Sequence, residues 1–216
     1  MSAQQVIVSD TEPKDFSGGL ITVLVGTGQE PLTVHERLIR NSSTFFENVL
    51  TKPSKELSRR RVSLGKEDPD IFKAYIHWLY RNTISVPDRE LSGHFDDGYL
   101  FLVKTYVLGN RLLDVNFQNA IIDAIWERYM SRDPEDGMSF GPGASPTTYA
   151  YKNTSERSPL RRLLVDICVH DQCCEWIDDK TESYTKAFLH DVATGLAYQR
   201  NHGPPEDLTL ANYYAN

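Results

Sequence analysis

Cysteine is scarce in this chain: three residues in 216, Cys168, Cys173 and Cys174, all in the C-terminal quarter. No framework of paired disulfides can tie the N-terminal part together, so its stability has to come from a packed core. Long apolar runs are missing as well. Nothing approaches the ~18 residues that a membrane span requires, and Met1 to Pro13 has neither the charged start nor the apolar centre of a signal peptide. The expectation is an intracellular chain, cytoplasmic or nuclear, in which the sequons at Asn41 and Asn153 are idle. Positive charge is also in deficit. The 23 Lys and Arg against 30 Asp and Glu leave a net charge of -7, which argues against a polyanion as partner, because phosphate binding needs Lys and Arg gathered on one face. Before the tail only Arg59, Arg60 and Arg61 cluster, and they read as a solvated turn ahead of a strand. Neither a nucleic-acid nor a membrane partner is expected.

What is present is ordinary globular material: 40% hydrophobic and 25% charged residues suit one large core or two small ones. The chain is organised around residues 20 to 50. Leu20 to Val25 is apolar and β-branched, Gly26 to Glu30 offers two glycines for positive φ, and Leu32 to His35 resumes a strand-like run, which together predict a β-hairpin. From Val34 the period changes to that of a helix, with Val34, Leu38, Phe45 and Val49 on one face and Ile39, Phe46 and Leu50 beside it. Arg61 to Leu64 alternates as a third strand, Val62 and Leu64 facing one way. Asp68 and Pro69 predict a helix start, the carboxylate as cap and the proline at the first helical position. Ile71, Phe72, Tyr75, Ile76, Leu79 and Tyr80 follow at helical spacing.

These pieces, in this order, resemble the BTB/POZ domains abundant in fungal proteins. The residues that carry the resemblance are Val34 and His35 at the end of the second strand, Leu38, Ser42, Ser43, Phe45 and Phe46 in the helix after it, and Trp78, Leu79 and Tyr80 closing the later helix. It covers roughly residues 16 to 130 and implies an α+β fold in which a helical cluster packs on a small three-stranded sheet. The tail resembles the helical extension of fungal members. The resemblance further implies protein binding without catalysis: self-association as a homodimer, through the first helix and neighbouring loops, or adaptor work in which the opposite helical surface docks a cullin-type scaffold. It makes His35 structural.

The rest of the chain divides on composition. Residues 1–18 read as a flexible lead, 19–130 as the first domain, 131–145 as a mobile linker crowded with Pro and Gly, 146–202 as the helical extension and 203–216 as a tail. Asp88 to Asp97 reads as a loop. Tyr99 to Val115 is apolar nearly all round, which predicts an internal helix. Asp114 or Asn116 caps the next, whose face is Phe117, Ile121, Ile125 and Tyr129. Phe45, Ile76, Leu79, Val103 and Ile121 are expected to share one core. In the extension, Ser158 and Pro159 open a helix with Leu160, Leu163 or Leu164, Ile167 and Cys174 on one face. The last helix, from about Glu182 to Gln199, carries Tyr184, Phe188, Val192 and Leu196, with Leu189 alongside. Two such helices are too small to stand alone, so they are expected to fold back on the first domain.

Candidate chemistry is sparse. Val25-Gly26-Thr27-Gly28 follows a strand as a phosphate loop would, but lacks the third glycine, the Lys-Ser/Thr pair and a following helix. Cys168, His170, Cys173 and Cys174 are all possible zinc ligands. On one helix, however, positions 168 and 170 point about 200° apart and 173 and 174 about 100°, so buried thiols are the simpler reading. Asp166, Asp171, Glu175, Asp178 and Asp179 form an acidic face, read as solvated. No catalytic, cofactor or metal site is expected. The competing class is a small intracellular hydrolase or transferase using that acidic tail, which would require a deep pocket of convergent polar groups.

Overall fold

The computed structural model describes residues 14–51, 60–87, 95–131, 141–170, 183–203 and 209–215. The expected α+β class is borne out, with a three-stranded mixed sheet and, among the described residues, eight α-helices. Strand β1 (Leu20–Val25) lies between β2 (Glu30–His35), antiparallel to it, and β3 (Arg61–Leu64), parallel to it. Alternation sets the faces: Ile21, Val23, Val25, Val34 and Val62 point inward and are buried. Of the two hairpin glycines only Gly26 takes positive φ, at 74°. A Cβ there would lie 3.2 Å from Pro69 Cγ, so the turn excludes larger residues on two counts. The second left-handed position falls on Gln29, φ 54°, whose N–H donates to Gly26 O at 3.1 Å, and not on Gly28.

The single helix expected after the hairpin is two: α1 (Glu36–Ser42) and α2 (Thr44–Thr51). Ser43 breaks them with extended backbone, φ -116° and ψ 116°. Its hydroxyl accepts from Phe46 N–H at 3.2 Å, capping α2, and donates to Leu112 O at 2.6 Å. The break rotates α2, so that Phe46 and Leu50 enter the core while Phe45 and Val49 stay half-buried. Helix α3 (Pro69–Arg81) starts as expected, Asp68 accepting from Asp70 N–H at 2.9 Å. It ends where Asn82 turns left-handed and donates to Trp78 O. Its core face is Ile71, Phe72, Ala74, Tyr75 and Leu79; Ile76, expected inside, lies at the margin.

Helix α4 (Phe95–Leu112) begins four residues before the expected Tyr99 and stops before Val115, since Leu113 takes φ 54° and Asp114 caps α5 (Val115–Met130). It is buried on nearly every side, from Tyr99 through Leu112. It meets α2, α3, α5 and α6 (Ala144–Asn153), a helix that the sequence reading left inside and just beyond the linker. The α4–α5 approach is close enough that a Cβ on Gly109 would lie 2.9 Å from the Phe117 ring. Residues 132–140 of the expected linker lie outside the described residues.

The extension continues with α7 (Pro159–His170) and α8 (Lys186–His202). Arg161 stacks its guanidinium 4.4 Å from the Tyr151 ring and donates to Tyr151 O at 2.7 Å and to Thr154 O, satisfying the C-terminal carbonyls of α6. Tyr151 in turn donates to Asp191 of α8 at 2.7 Å. Tyr184, Phe188 and Val192 are buried as the four-residue spacing predicts, while Leu189 and Leu196 are half-buried. Cys168 is buried; Cys173, Cys174 and Trp176 lie outside the described residues. A 3-10 turn, Leu210–Tyr213, closes the chain over α5 and α7: Tyr213 donates to Asp166 and Tyr214 to Asp123, both at 2.7 Å, and Ala215 N–H donates to Asn119 at 2.7 Å. The extension therefore folds back, and its buried side chains join the same cluster as the first domain.

Two expectations follow. Leu79→Ala should cost about 2 to 5 kcal/mol and Ile76→Ala only roughly 1 kcal/mol in denaturant unfolding; equal losses would contradict the placement of Ile76 at the core margin. Residues 1–131 expressed without the extension should unfold at a lower midpoint than the whole chain, because one side of α4 is left uncovered. An unchanged midpoint would show that the α4–α6 interface contributes nothing to stability.

Candidate interaction surface

The residues singled out in sequence separate into three places. Val34, Leu38, Phe46 and Leu79 are core. Ser42 and Ser43 meet a buried hub that sequence reasoning saw only as a helix cap. Asp114, 1% exposed, accepts from Phe117 N–H at 2.9 Å, from Tyr75 Oη at 3.0 Å and from the Ser42 hydroxyl. Burial pushes its carboxyl above the usual range, opposed by the donors from Ser42, Phe117 and Tyr75. It also pushes the Tyr75 phenol well up, helped by the charge of Asp114. One carboxylate thus joins α1, α3 and α5 at the end of α4, a role of position that no spacing rule exposes.

His35, Tyr80 and Trp78 stay nearer the surface, with Phe45 half-buried against Phe46 at 5.2 Å between ring centroids. Tyr80 Oη accepts from His35 N–H at 3.1 Å and lies 2.6 Å from His35 Nδ1, so its own proton is free to point at the ring nitrogen. The pair fixes the β2–α1 junction against the end of α3. The same phenol oxygen meets both the backbone N–H and the ring of the histidine, a contact that holds its position.

Onto this pair folds part of the segment read as a flexible lead. Phe16 stacks on Tyr80 at 5.9 Å, nearly parallel, and meets His35 edge-on at 5.6 Å. Arg37 of α1 holds the segment by donating to Asp15 at 2.7 Å and Ser17 Oγ at 2.9 Å. Hydrogen bonds from Ser17 and Arg37 lower the Asp15 carboxyl to about 2. Lys14 lies 5.9 Å from the Trp78 ring. Phe16 nevertheless remains 50% exposed and Leu20, across the ladder from His35, 51%. These are two large apolar side chains beside α1, next to an edge strand β2 whose outer side pairs with no strand among the described residues. The signal for this in the sequence was one aromatic residue in a polar lead.

Other groups do not converge into a reactive centre. Among the described residues no three His, Cys, Asp or Glu side chains form a metal-binding group. His170 Nδ1 faces Tyr129 Oη at 3.2 Å and Asp166 accepts from Tyr213; Asp171, Glu175, Asp178 and Asp179 lie outside the described residues. A depression of about 530 Å³ along α3 is open to solvent. There Lys73 is paired with Glu30 at 3.0 Å and Asp70 at 3.2 Å, and His77 faces Thr83 Oγ1 at 3.1 Å. No described helix is long and apolar enough to cross a membrane.

A comparison with curated proteins finds no match. The family model for the BTB/POZ domain matches residues 5–107, a span that takes in the sheet, α1 to α3 and most of α4, with α5 and the extension beyond it. The order of strands and helices, the inward-facing motif residues and this match agree, and the chain carries a BTB/POZ domain.

Proposed function

We propose that this protein works by associating with itself through the surface around α1, as a non-catalytic intracellular interaction module. A BTB/POZ domain is a protein–protein interaction module, and the finer reading rests on one observation: Phe16, packed on His35, and Leu20, paired across the ladder with His35, are each about half exposed at the β2–α1 junction. Exposed apolar side chains at one junction favour contact with a protein surface over solvent. A twofold pairing would set this patch against its own copy, as a self-complementary interface does. The net charge of -7 speaks for a protein partner and against nucleic acid. A cullin-type scaffold on the opposite helical surface remains the adaptor form of the same module. The 530 Å³ depression offers no argument for an enzyme, because it is open and its Lys73 is already paired with carboxylates.

The measurement is solution mass across concentration. A 24.6 kDa chain is expected to approach twice that mass by about 100 µM, a weak-dimer range, and the double substitution Phe16→Asp and Leu20→Asp to return it to a monomer with unchanged circular dichroism. A wild-type chain monomeric throughout, or a dimer indifferent to the substitutions, would refute self-association through this face.

A further inference from the structure

Folding of the extension onto α4 creates a seam that the first domain alone does not have. An open depression of about 350 Å³ lies between α4 and α6, lined on its charged side by Lys104 and Lys152. Another, about 270 Å³, lies where α4 meets the turn before α3, and Lys66, Lys104 and Arg111 reach it. Lys104 and Tyr149 line both, so the two are neighbours along one groove.

The charge of this groove runs against that of the chain. Four cations line it in a molecule of net charge -7. Arg37, Arg40 and Lys73, away from the groove, each hold a carboxylate. Here only Arg111 does, donating to both oxygens of Glu67 at 3.0 Å. Among the described residues Lys66, Lys104 and Lys152 make no ion pair. Two acids share the lining: Glu67, taken by Arg111, and Asp68, which caps α3 and keeps its charge, so the four cations exceed the lining acids by two. Asp97 lines a smaller adjoining depression with Lys104 without forming an ion pair to it. Lys104 is placed 5.9 Å from the Tyr149 ring, which positions its ammonium without neutralising it. Leu100 and Tyr149 supply an apolar flank.

We propose that this seam binds an acidic segment of a partner protein, with aspartate or glutamate side chains meeting Lys66, Lys104 and Lys152 and an apolar residue beside Leu100 and Tyr149. Unpaired cations on both walls of a groove favour several carboxylates on one extended chain, and charge complementarity of this kind sets partner choice and encounter rate. The inference rests on the reading of the protein as an interaction module, but uses a surface remote in sequence from Phe16 and Leu20.

The test uses the full-length protein and a fluorescein-labelled peptide of alternating Glu and Leu, followed by anisotropy. Saturable binding is expected, weakened about tenfold by Lys104→Glu with Lys152→Glu and progressively by added salt. A Lys104→Gln variant, which removes charge without reversing it, should show a smaller loss, and circular dichroism of each variant establishes that it is folded. Absence of saturable binding, or binding that the substitutions leave unchanged, would overturn the proposal. So would competition by inorganic phosphate as effective as that by unlabelled peptide, which would make the seam a general anion site. Solution mass measured on the same variants separates the two readings: peptide binding lost with self-association retained belongs to the seam alone.

Discussion

Everything in this molecule depends on hiding α4. A helix apolar on nearly all sides cannot rest against a single neighbour, and here it is enclosed by α2 and α3 on the side of the sheet, α5 along its length and α6 from the extension. Its burial reaches Thr105, fully inside, whose hydroxyl turns back to Phe101 O at 2.8 Å and so leaves no polar group unsatisfied. The extension is therefore part of one core, its buried Leu160, Leu163, Leu164 and Phe188 belonging to the same cluster as Tyr106.

The two polar devices near the ends of that core divide the work. Asp114 fixes α1, α3 and α5 relative to one another at the C-terminal end of α4, with three donors offsetting the cost of a buried carboxylate. The His35–Tyr80 pair fixes the β2–α1 junction to the end of α3. Between them the small sheet, α1 and α3 become a rigid platform.

Much of the fold was legible in the residues. Period-2 and period-3.6 patterns located the hairpin, β3, α3 and α5, and Asp68 and Asp114 announced helix starts because a short acidic side chain has a defined task there. Less was legible where a local motif competed with a periodic one. The stretch from Val34 to Leu50 reads as a continuous helix until Ser43 spends its hydroxyl on capping α2 and on Leu112 O, a partner 69 residues away. Helix α6, with Pro146, Thr147 and Thr148 in its first turns, lacks the apolar stripe of a surface helix, and it forms because α4 offers it a surface. Phe16 carried too little local signal to be separated from a polar lead.

The sequence by itself determined the elements, their order and most of the residues they bury, because hydrophobic periodicity and capping are properties of short stretches. It also determined, through composition, the net charge of -7. Only the tertiary structure decided which surface is left over. That Phe16 packs on Tyr80, that Asp114 joins three helices, and that Lys66, Lys104 and Lys152 line one groove all depend on residues tens of positions apart being brought together. Contacts of that range are fixed by packing, and no spacing within the chain records them.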